Sequence, residues 1–132
     1  RDSKEQRMEV SSAPAVLDLG RGVVVVPVVG SLDRASGERL HGATLHAFAM
    51  GAKTLIVDVE RVAGLDAESG EFLLGLLLDL SASESLSVVV AGLGKALERD
   101  LARLRLSTRT LTVRPTLAAA VQEAFALEPQ KA

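Results

Sequence analysis

Dense apolar runs alternate along this chain with stretches whose apolar residues recur every three or four positions. VVVVPVV at 23–29, KTLIVDV at 53–59 and SVVVA at 87–91 are rich in β-branched residues and short, and 108–113 alternates Thr with Arg, Leu and Val. These predict strands. A further short strand at 15–19 joins the first run through Gly20-Arg21-Gly22, a turn so tight that the two should pair antiparallel. Pro27 lacks an amide donor, which points to an edge or a bulge there. Between the strands, Asp33 is placed to cap a helix running to about Met50, with Gly51 just past its end and Leu40, Ala43, Ala47 and Met50 on a core-facing stripe. After the loop 60–65, Asp66 is placed to cap a helix through Leu80, with Glu68 and Glu71 in its first turn; FLLGLLLDL is apolar nearly all round and predicts a sandwiched helix. A third helix is predicted over 95–106 on Leu97, Leu101 and Leu104. A fourth follows Pro115-Thr116 on Leu117, Ala120, Val121, Ala124 and Phe125. The order β-β-α-β-α-β-α-β-α predicts an α/β layer fold with right-handed parallel crossovers after an initial hairpin.

A length of 132 residues suits one domain. Residues 1–14 are polar and read as a linker or the end of an upstream helix, 15–128 as the domain and 129–132 as a tail. The start at Arg1 suggests a piece of a longer chain. With no Cys there is neither a disulfide framework nor a thiolate nucleophile, and a reducing, cytoplasmic setting is expected. All three aromatic residues are Phe, and 17 acids stand against 15 bases, so neither stacking platforms nor a basic excess favours a nucleic-acid partner. No apolar run reaches the roughly 18 to 20 residues that cross a bilayer, and the charged start has no signal-type apolar region; no membrane partner is expected.

Few residues propose chemistry. Gly92-Leu93-Gly94-Lys95 follows a strand and opens a helix, as a phosphate-binding turn would, but Leu97 stands where a dinucleotide fingerprint needs Gly and Ala96 where a P-loop needs Ser or Thr. A nucleotide-binding α/β domain using this turn is one alternative. His41 and His46 are five apart and off a common helix face, so no metal site is expected. The bases Lys95, Arg99, Arg103, Arg105, Arg109 and Arg114 read as a solvated face or a docking patch. Asp58, inside a strand, is where a response-regulator receiver would carry its phosphoacceptor. The chain lacks the paired acids and the Lys that such chemistry needs, leaving a degenerate receiver as a second alternative.

Three features together resemble the STAS domain of anti-sigma-factor antagonists. They are the turn Gly30-Ser31-Leu32-Asp33 after the second strand, the segment GAKTLIVDVERVAGLDAESG, and the VVVAGL strand followed by LARLRL and an L-x-x-A-V-x-x-A-F tail. The opening SSAPAVLDLGRGVVVVPVVGSLD is similar to the C-terminal domains of RsbR-type stressosome scaffold proteins. The resemblance implies the SpoIIAA-like fold, a mixed sheet flanked by about four helices. It implies a non-enzymatic switch without a cofactor, which docks an anti-sigma factor or switch protein kinase and assembles with other STAS proteins as a homo- or hetero-oligomer. The implied partner surface is Asp33, Arg34, Asp66, Ala67, Glu68, Ser69 and Gly70, within 30–36 and 63–70. In such domains a Ser or Thr directly after the loop Asp is phosphorylated; here that residue is Ala67, which has no hydroxyl. A one-residue insertion in the loop would make Ser69-Gly70 the family's Ser-Gly pair. A second phosphosite of the scaffolds falls at Arg34, with Ser36 two residues on, so Ser69 and Ser36 are the candidate phosphoacceptors.

Overall fold

The computed structural model describes residues 16–30, 34–105 and 111–127. The strands are β1 (Leu17–Gly20), β2 (Val23–Gly30), β3 (Thr54–Val62), β4 (Ser87–Ala91) and β5 (Thr112–Arg114). The helices are α1 (Arg34–Ala49), α2 (Ala67–Ser81), α3 (Lys95–Arg103) and α4 (Leu117–Leu127). Their succession along the chain is the one the apolar periodicity predicts. One sheet holds all five strands in the order β1-β2-β3-β4-β5. β1 pairs antiparallel with β2, and every other neighbour pair is parallel, giving a mixed sheet.

The Val-rich strands need cover on both faces, and the side-chain period of two divides them cleanly. Val24, Val26, Leu55, Val57, Val88 and Val90 point to one face, where Leu40, Ala43 and Ala47 of α1, Leu73 and Leu77 of α2, and Leu97 and Leu101 of α3 cover them. Val23, Val25, Ile56 and Val89 point to the other and meet Ala120 and Ala124 of α4. Arg114 at the end of β5 pairs with Glu123 of α4 at 2.6 Å, half-buried, tying the last strand to the helix that follows it.

Several sequence-based expectations change. Of the two settings expected for Pro27 the structure has the bulge and not the edge: β1 and β3 flank β2, and Pro27 sits at a register shift on the β3 side and beyond the last residue paired with β1. That shift accommodates the missing donor. β3 continues to Val62, so residues 60–62 belong to the ladder and not to the loop. α1 ends at Ala49, which turns Met50 out to 41% exposure instead of extending the buried stripe. α2 is not sandwiched. Leu73, Leu74 and Leu77 are buried, while Phe72 and Leu78 stand 43% and 37% exposed on its outer side. Phe72 does have a structural contact: its ring lies over Gly37 of α1, where a Cβ would come within 2.8 Å of the ring edge. With a side chain at 37 the ring would have to shift outward. The expected strand over 108–113 is a strand over Thr112–Arg114, with 106–110 outside the described residues, and the third helix ends at Arg103. No helix among the described residues is long and apolar enough to cross a membrane.

Candidate functional site

Parallel pairing of β2 and β3 brings the C-terminal ends of both strands to one rim of the sheet. The last pair is Gly30 with Val62, and one residue on, the Ala63 N–H donates to the Gly30 carbonyl at 3.0 Å. The segment 63–70 therefore starts beside the end of β2. Leu65 drops its side chain into the core, leaving 6% exposed. Its backbone N–H donates to Asp100 Oδ2 of α3 at 3.2 Å.

Asp66 then caps α2 from extended backbone, φ −97° and ψ −176°. Its Oδ1 accepts from the Ser69 N–H at 2.8 Å, and Ser69 Oγ accepts from the Asp66 N–H at 3.0 Å. This reciprocal pair satisfies two groups at the helix start that would otherwise lack partners. The Ser69 hydroxyl also lies 2.9 Å from Asp66 Oδ1, where it donates. The Ser69 N–H, and then its hydroxyl, hold the Asp66 carboxyl below the usual carboxylate range. Ser69 is only 7% exposed and Gly70 is buried, whereas Asp66, Ala67 and Glu68 face solvent.

The turn thus brings Asp66 to Gly70 together as a short ridge with an acid at its base, a methyl at 67 and a second acid at 68. The electropositive end of α2 is already filled by the chain's own carboxylate, so it offers a shaped protein surface and not an anion pocket. Asp33 lies outside the described residues. Of Arg34 and Ser36 only the backbone is described, as the first turn of α1, the helix that follows β2. Sequence reading missed Asp100. Its partner Arg103 is visible at helical spacing, but nothing local connects an acid in α3 with an amide 35 residues earlier.

The other candidates resolve into structure. Gly92 has φ +80°, and a Cβ there would lie 2.7 Å from the Cβ of Glu60; the turn after β4 needs glycine to pass β3. Gly94 begins α3 with no side-chain cap. Asp58 is half-buried and accepts from the Glu60 N–H at 3.1 Å. Among the described residues, no three His, Cys, Asp or Glu side chains come together as a metal-binding group. A crevice between α2, α3 and the sheet has a volume of about 10 Å³, is lined by Val59, Leu73, Leu77, Val90 and other aliphatic side chains, and offers a ligand no polar partner.

Comparison with known proteins puts this arrangement in context. The family profile described as STAS domain matches residues 15–120. No curated protein sequence gives a significant match. Among solved structures, Moorella thermoacetica RsbS in a serine-to-glutamate variant form aligns with a TM-score of 0.71 at 20% identity, covering 86% of this chain and 96% of that one. An anti-sigma factor antagonist from Mycobacterium paratuberculosis aligns with a TM-score of 0.60 at 25% identity, covering 85% and 94%. The Bacillus cell fate determinant SpoIIAA in its phosphorylated form aligns with a TM-score of 0.59 at 19% identity, covering 85% and 99%.

Proposed function

This chain belongs to the STAS-domain family, and from that premise we propose that it is a non-enzymatic regulatory domain that docks an anti-sigma factor or switch kinase through residues 63–70. The observation that carries the reading is the capped ridge itself. Asp66, Ala67 and Glu68 are exposed on a turn whose backbone is fixed at Ala63, Leu65, Asp66 and Ser69, and a partner meeting it finds a surface already in shape. The structural likeness to proteins described as anti-sigma factor antagonists supports the same reading. Cytoplasmic action within a stressosome-type assembly of STAS proteins, as a homo- or hetero-oligomer, completes the proposal.

SpoIIAA is known in unphosphorylated and phosphorylated forms. In this chain the residue after the loop aspartate is Ala67, and the nearest hydroxyl, on Ser69, is enclosed in the cap. We therefore assign the chain a constitutive docking role, with Glu68 supplying a fixed negative charge where other members gain one by modification. The anti-sigma kinase from the same genome, purified and titrated calorimetrically into this protein, should bind with roughly micromolar affinity. Ala67→Arg should abolish binding, and mass spectrometry after incubation with ATP should find no added phosphate. Absence of binding by the wild type would sink the docking role; stoichiometric phosphate on Ser69 or Ser36 would sink the constitutive one.

A further inference from the structure

Residues 63–66 leave β3 without entering a ladder, yet the Leu65 amide sits next to a buried side chain, and among the described residues it is Asp100 that accepts from it. The Asp100 carboxylate is shared between two elements. Oδ2 accepts from the Leu65 N–H at 3.2 Å, and Oδ1 accepts from Arg103 at 2.9 Å one turn along its own helix. Leu97 and Leu101, both 5% exposed, root α3 in the core on either side of Asp100, so the carboxylate has a fixed origin. Arg103, itself largely exposed, bonds the other oxygen from the solvent side, so the oxygen that faces the loop is set by the rooting of α3 and not by the guanidinium. Gly64 lies alongside, with its Cβ position 3.8 Å from the same Oδ2; the carboxylate packs against the loop as well as bonding to it.

We propose that Asp100 is the positioning residue of the docking ridge: α3, through this carboxylate, sets where Leu65 and therefore the Asp66 cap stand on the rim. This rests on the docking reading for its functional consequence, while its geometry is independent of that reading. α3 is then part of the recognition unit.

The test compares wild type with Asp100→Ala, Asp100→Asn and Arg103→Ala, each first shown by circular dichroism to unfold cooperatively. Amide hydrogen exchange by NMR reads the loop, and titration with the purified anti-sigma kinase of the same genome reads the ridge. Loss of a charge-assisted hydrogen bond corresponds to about a tenfold change. Asp100→Ala should accelerate Leu65 exchange about tenfold and weaken kinase binding by a similar factor, leaving the β3 and β4 amides as in wild type. Asp100→Asn keeps an acceptor oxygen and should restore most of both effects. Arg103→Ala leaves the Leu65 bond in place and should stay within about twofold of wild type. Unchanged Leu65 exchange in Asp100→Ala overturns the proposal, as does faster exchange with unchanged kinase affinity. Should the wild type itself not bind the kinase, the docking reading fails separately, and the exchange arm alone decides whether Asp100 holds the loop.

Discussion

Two turns at the same rim of the sheet each lead from a parallel strand into a helix, and they are built in opposite ways. The turn between β3 and α2 is closed by side chains: Asp66 and Ser69 exchange bonds across the helix start, and Asp100 holds the preceding amide. The turn between β4 and α3 is closed by backbone: Gly92 turns with φ +80° and donates its N–H to the Arg114 carbonyl at 3.0 Å, and Gly94 caps with no side chain. Both sit at helix N-termini with similar dipoles. The difference lies in what stands in front of each. At α2 the chain has placed its own acid and leaves two further residues, Ala67 and Glu68, exposed to solvent. At α3 glycine serves clearance from Glu60, and the exposed Lys95 has no polar group converging on it among the described residues. The glycines after β4 thus serve the passage of backbone, while an acid and a serine three residues apart fix the start of α2.

The contrast can be broken most severely at the backbone-built turn. Gly92→Val forces a β-branched residue into a left-handed conformation and drives its side chain into Glu60; it should cost about 3 kcal/mol, read as a lower urea midpoint at constant slope. A loss below about 1 kcal/mol would mean that the turn has another accessible conformation. At the side-chain-built turn, Ser69→Ala removes one half of the reciprocal cap and should cost about 1 kcal/mol in the same assay.

Acid titration sharpens the comparison further. Asp66 has a folded-state pKa lowered from its ordinary value of 3.8 by the Ser69 N–H and hydroxyl, and Asp100 is lowered by Arg103 and the Leu65 N–H. Groups depressed in the folded state contribute stability above pH 3.8 that is lost as pH falls from there through the folded values. Unfolding free energy measured from pH 5 down to pH 2 should fall more steeply in wild type than in Asp66→Asn; parallel curves would contradict the cap assignment. The smallest effect is a gain. Gly94→Asp places an acceptor at an uncapped helix start with φ −80° and no atom within 4 Å of the new Cβ, and should stabilise by about 0.5 kcal/mol.

Much of this was legible because it is local. Asp66 precedes an apolar helical run, so its cap follows from the reach of a short side chain to a nearby amide, whereas the part of Ser69 in that cap came from the structure. The strands at 23–30 and 87–91 are aliphatic on both faces, which predicts cover on both sides of the sheet. Where local pattern misled, a neighbour decided. FLLGLLLDL looks sandwiched because Phe72 and Leu78 are apolar, yet Phe72 is used to cover Gly37 and no further layer lies over α2 among the described residues. The 60–62 segment looks like a loop because Glu60 and Arg61 are charged, but pairing with β2 extends the strand under them.

Periodicity and short-range hydrogen bonding thus determined, from the sequence by itself, the succession of elements, the two-sided burial of the central strands and the acid that starts α2. Burial of apolar stripes and the reach of a side chain to amides within one helical turn need no knowledge of the remainder of the chain. Only the tertiary structure decided that three helices share one face of the sheet, that the Ser69 hydroxyl is enclosed, and that an aspartate 35 residues away holds the Leu65 amide. Those contacts exist because α3 settles against the sheet where its leucines fit, and the position of Asp100 follows from that packing.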